Sequence, residues 1–389
     1  MRFPLVRKVC VVVGSRANYG SIKSVMRAVQ AHPDLQLQII VAASALLDRF
    51  GSVVDVIERD GFKPDARVNM IVEGETPVTM AKSTGLGLLE LPTLFELLKP
   101  DVVVTVGDRF ETMATAVAGA YMNIPLAHTM GGEVTGTIDE SIRHAITKLA
   151  HVHFPANQDA ADRIIRLGED PAAVYVVGCP RIDLVSEVIS NGSAALDGDW
   201  LDREGVGGHI STDQPFLLVS QHPVTTEYGQ AEHQINETLM ALEELKMPTV
   251  MLWPNVDAGS EDVSRGMRKF RERCKPEYIR FYKNFPVETF LRLMRSAACL
   301  VGNSSSFIRE GAFIGTPAVN IGSRQDGRER GPNVVDVDYD RAAITAAIRT
   351  QIKHGLYPSA HIYGDGKAGA RIADLLSTAP LHVQKRIQY

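Results

Sequence analysis

Residues 101–151 read DVVVTVGDRFETMATAVAGAYMNIPLAHTMGGEVTGTIDESIRHAITKLAH, and the opening run decides the fold. Asp101-Val-Val-Val-Thr-Val106 is apolar and β-branched, the composition of a central parallel strand covered on both faces. Such a strand delivers Asp108 and Arg109 to its carboxyl end, the edge of an open α/β sheet at which ligands bind. The pattern recurs in Pro125-Leu-Ala-His-Thr129, which leads through Gly131 and Gly132 to Glu133; the glycines let the backbone approach a ligand closely. Asp139 and Arg143 follow, one turn apart at the start of a helix expected over Ser141–His151, and so share a face. Taken alone, Asp139 also fits an N-cap with a surface ion pair to Arg143. Taken together, Asp108, Glu133, Asp139 and Arg143 point to a functional site, because charge among apolar runs is costly unless it is used.

At 389 residues with 45% hydrophobic content, the chain has the length for two domains with full cores and an ordinary globular composition. A net charge of −5 without a Lys/Arg-rich run argues against nucleic-acid and membrane-surface partners. Met1–Lys8 runs straight into VCVVVG with neither a signal-peptide core nor a membrane-length apolar span, so the cytoplasm is the expected compartment. Cys10, Cys179, Cys274 and Cys299 lack paired metal spacing, and all four read as small buried hydrophobes.

Short apolar runs alternate with helical patterns through the first half, with strands expected at Val9–Val13, Leu37–Ala42, Val102–Val106, Pro125–His128, Val152–Pro155 and Val174–Val177. From Ser186 to Gln214 the composition turns to Gly, Ser, Asp and Asn, and the interdomain connection is placed there. The rhythm restarts at Phe216–Ser220 and continues through Thr249–Trp253, Ile279–Tyr282, Cys299–Val301 and Pro317–Ile321. The expected fold is therefore α/β, with two Rossmann-like doubly wound domains over 1–190 and 210–360 and an interdomain cleft as the binding place. Residues 361–389 are expected to form a C-terminal helix packing back on the first domain.

The loop Gly14-Ser-Arg-Ala-Asn-Tyr-Gly20 matches neither a dinucleotide fingerprint nor a Walker A sequence, which removes the usual warrant for nicotinamide or ATP; Arg16 in it is either a phosphate contact or a solvated arginine. In the second half, Gln221-His-Pro-Val-Thr-Thr226 puts His222 at a strand end stiffened by Pro223. Pro254-Asn-Val-Asp257 offers Asn255 and Asp257 to hydroxyl groups. Gly302-Asn-Ser-Ser-Ser306 precedes a helix and presents hydroxyls and amides suited to a diphosphate. Glu310, about a turn into that helix, suits the two hydroxyls of a ribose, and Arg324 adds either a ligand contact or plain surface charge.

These motifs coincide with those of a known family. The stretches SRANYG, GDRFE, GGEVTGTIDESIRHAITKLAH, GCP, QHPVTT, PNVDAGS, GNSSS and IYGDG span nearly the whole chain. It resembles the hydrolysing UDP-N-acetylglucosamine 2-epimerases of sialic acid biosynthesis, and is similar to the epimerase module of the bifunctional animal enzyme. The resemblance implies a glycosyltransferase-B-like fold, a UDP-sugar substrate, no metal or other cofactor, and a homodimer or homotetramer. It places catalytic groups at Asp108, Glu133, Asp139, Arg143 and His222. Nucleotide and substrate contacts fall at Arg16, Ala17, Arg109, Asn255, Asp257, Ser304, Ser305, Glu310 and Arg324. Asn18 departs from the family pattern, in which Asp is frequent, and this argues against a charge-based role there. With no kinase module before the end at Tyr389, kinase activity is not expected.

The implied chemistry is physically coherent. The proton on C2 of the hexose is barely acidic, but its removal while the anomeric C1–O bond breaks passes the electrons to departing UDP. Water then adds to the glycal-like intermediate with opposite stereochemistry at C2, releasing N-acetylmannosamine when the substrate is UDP-N-acetylglucosamine. A carboxylate base near C2 and cationic or hydrogen-bonding groups facing the diphosphate are what this route requires. The expected substrate is UDP-N-acetylglucosamine, with UDP-N,N'-diacetylbacillosamine as the alternative; a transferase of the same fold and a silent nucleotide-sugar sensor are the rivals. Arg265 and Arg268 match positions near an effector-sensing basic patch in the animal relatives, although Lys and Arg at this spacing more commonly form a solvated helix face.

Overall fold

The computed structural model describes residues 6–74, 76–191, 196, 198–255 and 257–388. The chain divides into two compact units. The first comprises Met1–Glu133, Ile138–Ser186 and Tyr363–Tyr389, and the second Val134–Thr137 and Glu187–Ile362.

The first unit contains strands β1 (Arg7–Val13), β2 (Leu35–Ala42), β3 (Ala66–Val68), β4 (Val102–Val106), β5 (Leu126–Thr129) and β6 (Val152–Phe154). Its helices are α1 (Arg16–Ala31), α2 (Val53–Arg59), α3 (Pro77–Leu98), α4 (Phe110–Tyr121), α5 (Ile138–Leu149), α6 (Gln158–Arg166) and α7 (Pro180–Ser190). All sheet pairings are parallel, in the order β3-β2-β1-β4-β5-β6. This is the doubly wound Rossmann order, in which the winding reverses between β1 and β4 and a crevice opens at their carboxyl ends. The five residues of β4 are all buried, as a strand covered by helices on both faces must be.

The second unit contributes α8 (Gly198–Glu204), β7 (Val206–Gly207), β8 (Leu217–Ser220), α9 (Ala231–Leu245), β9 (Thr249–Leu252), α10 (Ser260–Cys274), β10 (Ile279–Tyr282), α11 (Val287–Ser296), β11 (Cys299–Gly302), α12 (Ser305–Ile314), β12 (Ala318–Ile321), β13 (Val334–Val337) and α13 (Arg341–His354). Its order is β13-β12-β11-β8-β9-β10-β7, with β7 antiparallel at the edge. Without β7, the sheet repeats the topology of the first unit, and β8 and β11 occupy the reversal point.

After the second unit the chain returns to the first. Helix α14 (Ala368–Thr378) packs along α1, and the backbone amides of Ala368 and Gly369 donate to the two oxygens of Asp183. The residues beyond it hold the carboxyl end of α5: Lys385 reaches the buried Glu169, which also takes Lys148 of α5 and His153 of β6. Burial alone would raise the Glu169 carboxyl, but those three partners hold it down at about 2.

Several expectations are corrected. Val174–Val177 is an extended segment with a single bridge to His153 and is not a strand. The short β3 and β13 were not anticipated; β3 has three residues, and the apolar stretch of β13, Val334-Val-Asp-Val337, is interrupted by Asp336 and only partly buried. The stretch Ser186–Gln214 is not a plain connection, since it holds α8 and β7, which adds to the second sheet; residues 192–195 and 197 of it lie outside the described set. Helix α5 begins at Ile138, ahead of the expected Ser141, because the stretch before it carries Asp139 and Glu140 into the first turn, where acidic groups suit the helix dipole. Cys10, Cys179 and Cys299 are buried, whereas Cys274 at the end of α10 is only half-buried.

Candidate functional site

In the first unit, the site is organised around one guanidinium. Arg143 lies on the inner face of α5 with 1% exposure. It donates through Nη1 to the Glu133 carbonyl oxygen at 2.7 Å and through Nη2 to the Asp108 carboxylate. Burial by itself would lower the pKa of Arg143, but the carboxylates of Asp108, Glu133 and Asp139 together raise it. Thus β4, the loop after β5 and the first turn of α5 bring one permanently charged cation to three carboxylates that are separate in sequence. Asp139 is inside the helix and not its cap, so its carboxylate belongs to this group.

His128 was not singled out by sequence reasoning. Its ring is fully buried in β5, and Nε2 donates to the Gly107 carbonyl oxygen at 2.8 Å, leaving Nδ1 facing the Thr147 hydroxyl at 3.2 Å. That hydroxyl in turn donates to the Arg143 carbonyl at 3.0 Å. The imidazole therefore connects the residue before Asp108 to the turn after Arg143. Burial, as the largest cause, holds its pKa down at about 3, so it is a neutral strut. Gly131 is required beside it, because a Cβ there would stand 2.9 Å from Nδ1. The available sequence signal was a histidine inside an otherwise apolar strand.

The loop after β1 meets this edge. Ser15 caps α1, and the buried Asn18 uses both halves of its amide: Oδ1 accepts from the Gly14 amide at 3.2 Å and Nδ2 donates to the Val106 carbonyl oxygen at 3.3 Å. An aspartate could accept but not donate, so the departure from the family pattern has a definite role here, tying β1 to β4. Arg16 is pulled down to about 10, first by burial and then by the guanidiniums of Arg181 and Arg109. Arg181 approaches the Ala17 carbonyl oxygen at 3.4 Å, and Arg109 pairs with the buried Glu111 at 2.9 Å. Gly14 makes room for Glu111, whose Cγ would be 2.2 Å from a Cβ. Three convergent guanidiniums, at the starts of α1, α4 and α7, form a place for an anion.

The second unit builds its reversal point mainly from neutral groups. Asn303, directly after β11, accepts from the His222 amide at 2.8 Å through Oδ1 and donates to the His222 carbonyl oxygen at 2.9 Å through Nδ2. The Asn255 amide donates to His222 Nδ1 at 3.2 Å, so the proton of the neutral ring sits on Nε2, which faces Ser220 Oγ at 3.3 Å. The Asn303 carbonyl oxygen accepts from Arg324 at 3.2 Å and from Gln325 at 2.9 Å. Asn303 and Gln325 were absent from the expected set, although GNSSS and GSRQ carried both.

Ser304 is the N-cap residue of α12 and Ser305 its first helical residue, so their hydroxyls and the first-turn amides gather at the helix start. Glu310 is fully buried in the second turn, deeper than the sequence spacing suggested. Asp257 is buried in the loop before α10, where the Ser260 hydroxyl accepts from its amide at 2.8 Å. Arg265 and Arg268 lie on α10 and are paired, Arg265 with Glu232 at 2.8 Å and Asp262 at 2.6 Å, and Arg268 with Glu261. Among the described residues, no three His, Cys, Asp or Glu side chains are arranged to hold a metal ion, and no helix is long and apolar enough to cross a membrane.

Two Rossmann-type units, each with a polar cluster at its reversal point, define a glycosyltransferase-B-type α/β protein. Solved structures agree on the fold: a Neisseria meningitidis UDP-GlcNAc 2-epimerase bound to UDP-GlcNAc superposes with a TM-score of 0.79 over 95% of this chain and 99% of that one, at 18% identity. The chain belongs to the UDP-N-acetylglucosamine 2-epimerase family, whose profile matches residues 27–377. It is 33% identical to the UDP-N,N'-diacetylbacillosamine 2-epimerase (hydrolyzing) of Legionella pneumophila, covering 98% of both chains. It is 31% identical to the GDP/UDP-N,N'-diacetylbacillosamine 2-epimerase (hydrolyzing) of Campylobacter jejuni, over 85% of this chain and 84% of that one. A UDP-N-acetylglucosamine 2-epimerase of Neisseria meningitidis is 28% identical over 93% and 92%. Of these relatives, the two at 30% identity or above are both named for the diacetylated sugar, and not for the N-acetylglucosamine expected from the animal resemblance.

Proposed function

We propose that the chain is a hydrolysing 2-epimerase acting on a UDP-linked 2-acetamido sugar, with UDP-N,N'-diacetylbacillosamine the foremost substrate. The observation that carries the chemistry is the buried Arg143 surrounded by Asp108, Glu133 and Asp139. One carboxylate of this set takes the C2 proton while the C1–O bond breaks and its electron pair leaves with UDP. A second member of the set returns a proton to C2 from the opposite face as water adds its oxygen at C1. Arg143 holds the three in register, since carboxylates so close repel one another without a cation between them. Arg16 and Arg109 are assigned to the diphosphate, with Ala17 lining the same loop. Ser304, Ser305 and the α12 amides are assigned to the diphosphate as well, Glu310 to the ribose, and Asn255, Asp257 and Arg324 to the remainder of the nucleotide. His222 is assigned to stabilising the leaving group, through Nε2, the ring nitrogen that carries the proton when Nδ1 accepts from the Asn255 amide.

UDP-N-acetylglucosamine is the second reading, supported by the Neisseria meningitidis relative at 28% identity. The purified protein should be incubated with each UDP-sugar in heavy water and the products followed by NMR. UDP and a free 2-epimer deuterated at C2 are expected, with a larger kcat/KM for the diacetamido sugar. A product still joined to UDP overturns hydrolysis, and a retained C2 proton overturns elimination.

A further inference from the structure

The C-terminal residues take no part in the site described above, yet they grip the helix that carries two of its members. Beyond α14, residues 379–388 form no regular structure and run as a strap over the carboxyl ends of α5 and α6. The strap is held at Val383, whose carbonyl oxygen accepts from His151 Nε2 at 2.8 Å, and at Gln388, whose amide donates to the Gly168 carbonyl oxygen at 3.0 Å. Between them, Lys385 donates to the Ala150 carbonyl oxygen at 2.6 Å and to the Glu169 carboxylate at 2.5 Å. Residues 380–388 are exposed apart from Leu381 and Lys385, so an open segment sends one charged side chain inward.

What that side chain meets is a buried ion cluster. Glu169, 3% exposed, binds Lys148 and His153 as well as Lys385. Lys148 stands in the last turn of α5 and also donates to the Leu167 carbonyl oxygen at 3.1 Å, while Ala150 follows the helix directly. Two cations are thus set at the end of α5, where the helix dipole and the unpaired carbonyl oxygens favour them, and one carboxylate ties both to the chain beyond α6. A buried ion cluster contributes little net stability once desolvation is counted, whereas it fixes one geometry. The geometry fixed here is the place of α5 along its own axis. Arg143 lies five residues, about 7.5 Å, before Lys148 on that axis, and Asp139 a further turn away. Between Arg143 and Lys148, the fully buried Thr147 donates to the Arg143 carbonyl oxygen and faces His128, and packing this close passes a shift at one end of the helix to the other.

We infer that Lys385 is a positioning residue for the carboxylate–guanidinium cluster: through Glu169 it sets the axial place of α5, and with it Asp139 and Arg143 against Asp108 and Glu133. The inference rests on the catalytic role proposed above for that cluster. Steady-state kinetics should be run on whichever of UDP-N,N'-diacetylbacillosamine and UDP-N-acetylglucosamine the parent turns over faster. Lys385→Met should lower kcat at least about tenfold with KM nearly unchanged, a full ångström of misplacement being worth about a hundredfold. Lys385→Arg, which keeps a cation within reach of Glu169, should recover most of kcat, and Arg386→Met, at the exposed neighbouring position, should match the parent. Hydrogen–deuterium exchange should quicken in α5 of the Lys385→Met protein and stay parental in β1 and β4. An inactive parent overturns the catalytic reading and the inference with it. With an active parent, the inference alone is overturned if Lys385→Met keeps the parental kcat, if Lys385→Arg is as slow as Lys385→Met, if Arg386→Met loses as much, or if kcat falls while exchange in α5 is unchanged. Should Lys385→Met fail to fold, the same comparison is made with Lys385→Gln, whose amide can still donate to the Ala150 carbonyl oxygen, and a parental kcat there overturns the inference.

Discussion

The two sheets share one strand order, yet their reversal points are built from opposite materials. At the carboxyl ends of β1, β4 and β5 and the helices beside them the first unit concentrates full charges: Arg143 with three carboxylates, and Arg16 with Arg109 and Arg181. Between β8 and β11 the second unit relies on amides, a hydroxyl and a neutral imidazole, with Asn303 bonded to both backbone groups of His222. Topology therefore selects where a site stands, and the side chains at four strand ends select its chemistry. Charged groups suit proton transfer; oriented neutral dipoles suit holding a leaving group without competing for its protons.

Removing the centre of the charged cluster should have the largest effect. Arg143→Met leaves the carboxylates without their shared cation and should cost about 3–5 kcal/mol of stability, the scale for breaking a buried ion pair, together with nearly all activity. Calorimetry and turnover measure it, and a stable, active variant would dissolve the distinction between the two reversal points. Asp108→Asn and His222→Ala should each lower kcat at least about a hundredfold with the fold retained. Near-normal turnover in either would return that residue to a structural role.

A smaller effect distinguishes the struts beneath the sites. The His128 ring stays neutral in the fold down to about 3, whereas an unfolded chain protonates it near 6.5. Stability from this group is complete above that higher value and is lost as acid is added, by at most about 1.4 kcal/mol per pH unit. Melting temperature followed from neutral pH to pH 5 should therefore fall less steeply in His128→Asn than in the parent; parallel slopes would count against the buried neutral imidazole. Asn18→Asp sets a carboxylate against the Val106 carbonyl oxygen and should cost about 1–3 kcal/mol, the penalty for an unmatched buried polar group, as read from denaturant unfolding. At the small end, the Arg265→Ala/Arg268→Ala pair should change stability by no more than about 1 kcal/mol, since these arginines form exposed ion pairs. Titrating activity with CMP-sialic acid then separates an effector role from surface charge, inhibition lost in the double variant being the only outcome that supports the effector.

What the sequence by itself determined is the local layer: β-branched runs that bury on both faces, polar residues directly after them, and residue types able to carry acid–base chemistry. Those follow from burial and periodicity, which neighbouring residues report. The short β3 and the edge strand β7 escaped because a two- or three-residue strand has no hydrophobic run to show, and β13 because Asp336 interrupts its valines. Only the tertiary structure decided the partners. Asn303 meets His222 across 81 residues, and His128 reaches Gly107 and Thr147, because strand order makes neighbours of chain ends that no local pattern connects. The same holds for Asn18, whose amide is explained only once Nδ2 is seen to donate to the Val106 carbonyl oxygen of a strand 88 residues away.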